Sequence, residues 1–169
     1  MHVHIRLLFV HAKIARNRLL TLCHGARLKD HNYYGGVQSG ACVLIVDDHA
    51  IIRRMLHALF EANDLEVCEA ENGAEGVQKA QDLNPGLVIL DLSMPVMNGL
   101  EAARALQLTM PHVPLLMFTN NTGAAMEKEA RRAGIFAVVS KSDANSSQQL
   151  MAHAKPLLGL DGAQVRYVS

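Results

Sequence analysis

Five short apolar runs, each followed by a stretch of helical period, organise the chain from Ala41 to about Leu158. The third run is the sharpest. Leu87, Val88, Ile89 and Leu90 follow Pro85-Gly86, and Pro95 closes the segment. An unbroken apolar run this short reads as a strand buried on both faces, as in a parallel sheet. Asp91 comes where that strand leaves the sheet. A carboxylate is costly inside a core but well placed at the carboxyl edge, where doubly wound α/β domains bind ligands. Met94-Pro95 demands an extended bend, and Asn98-Gly99 supplies turn chemistry before a helical pattern begins at Leu100.

The other runs repeat this plan. Val43, Leu44, Ile45 and Val46 end in Asp47-Asp48. A helix follows with Ile52, Leu56, Leu59 and Phe60 inward, Arg53, Arg54 and His57 on other faces, and Asp48 as candidate N-cap. Residues 65–68 read as a shorter strand, Asn72-Gly73 as a turn, and 74–83 as a helix with Val77 and Ala80 inward. A helix over about 99–108 is stopped by Pro111 and Pro114, and the fourth strand, 115–118, ends in Thr119. Residues 124–133 read as a helix closed by Gly134, and 135–139 as a fifth strand ending near Ser140-Lys141. Ser142, Asp143 and Asn145 are cap candidates for a last helix, which Pro156 ends or kinks. Strand and helix thus alternate five times. The expectation is an α/β fold, a doubly wound five-stranded parallel sheet with helices on both faces.

In such a sheet the carboxyl ends of the strands share one edge. Asp47 and Asp48, Asp91, Thr119 and Lys141 are then brought together from the ends of strands one, three, four and five. Three carboxylates in one crevice repel, and a hard divalent cation offsets them; Mg²⁺ suits one or two carboxylates with water and phosphate oxygens. A lysine and a hydroxyl beside them suit a tetrahedral oxyanion. A carboxylate in that company can act as nucleophile toward phosphorus. Met94 and Met97 read as loop packing.

Charge is unevenly divided. Residues 1–40 carry six Lys/Arg against one Asp, and residues 41–169 carry ten Lys/Arg against fifteen Asp/Glu. Residues 1–40 also hold five histidines without metal-ligand spacing and end in a Gly-rich stretch. Their apolar run is too short and too early for a signal peptide. We read 1–40 as a basic N-terminal extension, flexible or loosely packed; a basic arm, a docked helix and upstream sequence from a misplaced start are the readings open for it. Residues 41–158 form the domain and 159–169 a tail too short for a second one. No apolar run approaches the roughly 20 residues that span a bilayer. Cys23, Cys42 and Cys68 lack metal spacing; Cys42 and Cys68 fall in apolar strand patterns, so small buried thiols there and a reducing cytoplasm are the expectation.

Val-Leu-Ile-Val-Asp-Asp-His, Val-Ile-Leu-Asp-Leu-Ser-Met-Pro-Val-Met-Asn-Gly, Met-Phe-Thr and Val-Val-Ser-Lys together resemble the receiver domain of two-component response regulators, over residues 42 to about 158. The resemblance implies a flavodoxin-like sheet of strand order 2-1-3-4-5. It implies Asp91 as phospho-acceptor, with Asp47, Asp48, Asp91 and the backbone carbonyl of Ser93 holding Mg²⁺. Thr119 would sense the phosphoryl group and Lys141 would pair with its oxygen. The donor would be a phosphohistidine on a sensor histidine kinase or histidine phosphotransfer protein. Output would pass to a downstream protein through the face from strand four to helix five, with a homodimer as a further possibility. Its only reactions would be its own phosphorylation and slow dephosphorylation.

No DNA-binding segment follows the last helix, so a stand-alone, chemotaxis-regulator-like receiver that contacts neither nucleic acid nor membrane is the expectation. Three positions depart from the family pattern. Val138 stands where many members carry an aromatic switch residue, Asn120 where a small residue is usual, and Ser142 where proline is common. Phe136 shares Val138's face but is two residues out of register. The competing readings are a phosphorylation-independent interaction module, a piece of a longer regulator, and a metal-dependent phosphohydrolase. The last needs an acid or base two residues after the nucleophile, where Ser93 stands.

Overall fold

The structure, a computed structural model, describes residues 42–160. The expectations for residues 1–40, Cys23 among them, and for nearly all of the tail lie outside the described residues. Five parallel strands form one sheet: β1 (Val43–Val46), β2 (Val67–Ala70), β3 (Leu87–Leu90), β4 (Leu115–Thr119) and β5 (Ala137–Ser140). Their order is β2-β1-β3-β4-β5, as the family resemblance implies. The helices are α1 (Ala50–Glu61), α2 (Gly73–Leu83), α3 (Gly99–Thr109), α4 (Ala124–Arg132) and α5 (Ser146–Leu157).

The unbroken apolar runs are explained by burial on both sides. Along β1 and β3, Val43, Ile45, Leu87 and Ile89 face a layer with Leu56 and Phe60 of α1 and Leu150, Met151 and Ala154 of α5. Leu44, Val46, Val88 and Leu90 face the opposite layer with Ala80 of α2, Ala102, Ala103 and Leu106 of α3, and Ala130 of α4. All eight strand residues are at most 1% exposed, and each such side chain contributes on the order of 1.5–3 kcal/mol by leaving water.

Two strands begin later than their apolar runs suggest, for one reason. Leu65 and Ile135 are the residues just past left-handed turns that close helices. Asp64 has φ +61°, and the Leu65 N–H donates to the Phe60 carbonyl at 3.2 Å. Gly134 has φ +85°, and the Ile135 N–H donates to the Ala130 carbonyl at 3.0 Å. Both are helix C-caps of the Schellman kind, in which a hydrophobic residue follows the turn and packs back. The ladders therefore start two residues on, at Val67 and Ala137.

The Asp48 cap is a second correction. The N-cap of α1 is His49, without a side-chain cap bond. Asp47, not Asp48, supports the turn: its Oδ1 accepts the His49 N–H at 2.9 Å. Arg53, expected on a face other than the apolar one, is buried. Pro156 does not end α5 early; it lies in the last turn.

Candidate functional site

The ladder carries β1 and β3 one residue past their last strand positions. The Asp47 N–H donates to the Ala70 carbonyl at 3.1 Å and the Asp91 N–H to the Val46 carbonyl at 2.8 Å. Asp47 and Asp91 thus emerge side by side at the carboxyl edge, 2% and 4% exposed. Uncompensated carboxylates at that depth would be strongly destabilising. Lys141 compensates both. Its backbone N–H is held by the Thr119 carbonyl at 2.9 Å, and its Nζ lies 2.7 Å from Asp47 Oδ2 and 2.9 Å from Asp91 Oδ1. The remaining oxygens are also occupied: Asp91 Oδ2 accepts from the Ser93 N–H at 3.1 Å and Asp47 Oδ1 from His49. Thr119 is buried at the same edge, its Oγ1 accepting from the Asn121 N–H at 3.2 Å. Asp48 points outward and accepts from His49 Nδ1 at 2.7 Å.

The loop after Asp91 is shaped by three local devices. The Met97 N–H donates to the Pro95 carbonyl at 2.7 Å, a three-residue turn that forces Val96 to φ +67°. Asn98 caps α3: its side chain accepts from the Leu100 and Glu101 N–H groups, and Glu101 returns a bond to the Asn98 N–H. Gly99 then passes so close to Asp91 that a Cβ there would lie 2.1 Å from the Asp91 carbonyl oxygen. Met94 and Met97 pack against the α2–α3 layer, as expected of loop methionines.

Donor atoms of Asp47, Asp48 and His49 lie within 4.8 Å of one another. This cluster differs from the expected set, which has Asp91 and the Ser93 carbonyl in place of His49. The oxygens are the hard donors that suit Mg²⁺, whereas the imidazole is a softer ligand already engaged with Asp48. The acid pair therefore fits a hard divalent cation, with Asp91 tied to it through Lys141.

Residues 43–155 match the response regulator receiver domain. The chain belongs to the response regulator receiver family. The receiver is 40% identical over 104 residues to the transcriptional activator protein ExaE of Pseudomonas putida, covering 60% of this chain and 49% of that protein. It is 38% identical over 102 residues to a protein-glutamate methylesterase/protein-glutamine glutaminase of Methanococcoides burtonii, covering 58% of this chain and 29% of the relative. The chain thus spans half or less of the length of these relatives. Among solved structures, the chemotaxis protein CheY4 of Vibrio cholerae superposes with a TM-score of 0.66 at 30% identity, over 71% of this chain and all of that one. The response regulator domain of Thermotoga maritima CheB gives 0.65 at 28% identity, over 73% of this chain and 99% of that one.

One residue of the receiver that sequence reasoning missed is Arg53. Its Nη1 donates to the Asp47 carbonyl at 2.9 Å, its Nε to Glu69 at 3.2 Å and its Nη2 to Glu71 at 2.7 Å. It ties the loop carrying the acid pair to the end of β2. The available signal was its place on the apolar stripe of α1, three residues before Leu56 and seven before Phe60. On the opposite side of the receiver, Val138 is half-buried and Phe136 is 60% exposed, its ring edge-on to His153 at 6.3 Å between centroids. Both line a cavity of about 210 Å³ between α4 and β5, with Glu127, Ala130, Arg131 and Ile135. Asn120 is exposed. Among the described residues no helix is long and apolar enough to cross a membrane.

Proposed function

We propose that the receiver takes a phosphoryl group onto Asp91 from a phosphohistidine of a sensor histidine kinase or histidine phosphotransfer protein, and signals by protein contact. The observation that carries this is the buried Asp91 carboxylate paired with Lys141, whose ammonium also holds Asp47. Asp91 attacks phosphorus in line with the departing imidazole, a geometry that needs positioning and charge stabilisation more than added chemistry. Asp47, Asp48, Asp91 and the Ser93 carbonyl would hold Mg²⁺, which would supply charge neutralisation to the phosphoryl oxygens. Lys141 offsets the repulsion between Asp47 and Asp91 and turns its ammonium toward a phosphoryl oxygen. The Thr119 hydroxyl gives up its bond to the Asn121 N–H and donates to the new group, drawing the β4–α4 loop inward.

The output face runs from β4 to α5. With Val138 in place of a ring, this face offers a partner the open cavity beside Phe136. We read the output as a protein contact.

The test is incubation with acetyl phosphate and Mg²⁺, followed by intact mass. The wild-type chain gains one phosphoryl group and Asp91→Asn gains none; normal uptake at another residue in the variant overturns the assignment. A second reading, an interaction module indifferent to phosphorylation, is favoured by Val138 and Asn120. Beryllofluoride with Mg²⁺ separates the two, because that module shows no chemical-shift change along α4 and β5.

A further inference from the structure

The phosphoryl edge lies at the carboxyl ends of the strands. At the other end of β1, under α2, two thiols meet. Cys42 immediately precedes β1, and Cys68 is the second residue of β2, the edge strand beside it. In the parallel register Cys68 is level with Leu44, so Cys42 and Cys68 are diagonal neighbours on one face of the sheet. They are 26 positions apart in sequence, yet their Sγ atoms are 2.7 Å apart. Both are free and half-buried, where the expectation was small buried thiols.

We propose that Cys42 and Cys68 form a reversible dithiol–disulfide couple, a modification site independent of the phosphoryl reading, with an oxidised low-molecular-weight disulfide of the glutathione class as oxidant. The Cys68 thiolate attacks one sulfur of the oxidant, forms a mixed disulfide and releases one small thiolate. Cys42 then gives up its proton and attacks Cys68 Sγ. The S–S bond to the small molecule breaks, and the second thiol leaves. Two protein thiols lose two electrons and two protons; the oxidant gains them and departs as two thiols.

The geometry favours the second step. The sulfurs need to approach by well under 1 Å to reach the about 2.05 Å of a disulfide. The surroundings favour Cys68 as the attacking group. The Cys42 thiol donating toward it lowers the Cys68 thiol to about 7, helped by Lys79 and His57 and opposed by burial and by Glu66. The same contact, burial and Glu66 raise Cys42, which makes it the resolving partner. A thiol that titrates near neutrality is close to the optimum for exchange. Loss of Cys42 removes the largest of these influences, so the alkylation rate of Cys68 should reach half its maximum at higher pH in Cys42→Ala than in the wild type.

The experiment uses the full chain carrying Cys23→Ser, so that the third thiol plays no part. The reduced protein is treated with oxidised glutathione, quenched by alkylation and weighed intact, then digested without reduction. The expected product has lost two hydrogens, keeps no glutathionyl group, and yields one linked peptide pair joining Cys42 to Cys68. Dithiothreitol returns both thiols. In Cys42→Ser the reaction stops at a glutathionyl group on Cys68. The proposal is overturned if both thiols stay free, if each takes its own glutathionyl group, or if the linkage joins two chains. Circular dichroism of each variant shows that the readout comes from folded protein.

Discussion

Lys141 and Arg53 are two cations with different tasks at one edge. Lys141 is the counter-charge of two buried carboxylates, and losing it strands both. Lys141→Met should lower stability by about 2 kcal/mol, toward the low end of the cost of an unpaired buried charge because water is close at the edge. Urea unfolding should show that deficit, and added Mg²⁺ should recover part of it. A variant as stable as the wild type without Mg²⁺ would mean that the lysine does not carry the pair. Arg53 acts one step removed, by holding the backbone of Asp47. As a positioning residue it should govern how well the acid pair grips the cation. In Arg53→Met, the rate of phosphoryl uptake against Mg²⁺ concentration should shift several-fold to higher Mg²⁺, with a nearly unchanged plateau. A fall in the plateau alone would instead mark a purely structural role.

At the scale of the element, the loop between β3 and α3 stores strain beside Asp91. Val96 is β-branched, has φ +67° and is 85% exposed, so it occupies a region disfavoured for its shape without packing to offset the cost. Such conformations cost on the order of 1–3 kcal/mol, and the flanking anchors, the Asn98 cap and the Gly99 approach, hold this one in place. Val96→Gly removes the strain at the expense of a looser unfolded chain, so a net gain of about 0.5–1 kcal/mol is expected. Thermal unfolding checks the sign, and a lower midpoint would show that the turn is not strained.

Elements and their partners differ in how far sequence exposes them. The runs at Leu87–Leu90 and Val43–Val46 could be read directly, because burial on both faces leaves no polar residue to blur them. The starts of β2 and β5 could not, because Leu65 and Ile135 are apolar for the sake of helix closure, a use that mimics a strand start. The meeting of Asp47, Asp91 and Lys141 was legible from strand ends and topology alone. Arg53 was not, since its partners Glu69 and Glu71 lie sixteen and eighteen residues away on another element. His49 was missed beside Asp48 because its role depends on where α1 begins.

At the scale of the whole receiver, the sheet separates the thiol pair from Asp91. Cys42 and Asp47 lie five residues apart along one extended segment, at about 3.3 Å each. The thiol pair and the Asp47–Asp91 edge therefore occupy opposite ends of the same strands. The oxidised and reduced chains should take up phosphoryl groups from acetyl phosphate at rates within about twofold of each other, since linking β1 to β2 breaks none of the contacts around Asp91. A large difference would reveal mechanical coupling along the strands.

The double grip of Lys141 also sets the charge balance of the pocket. Three carboxylates against one ammonium leave it formally two units negative, a deficit that one dication cancels. Entry of such an ion thus ends in near neutrality rather than in surplus attraction.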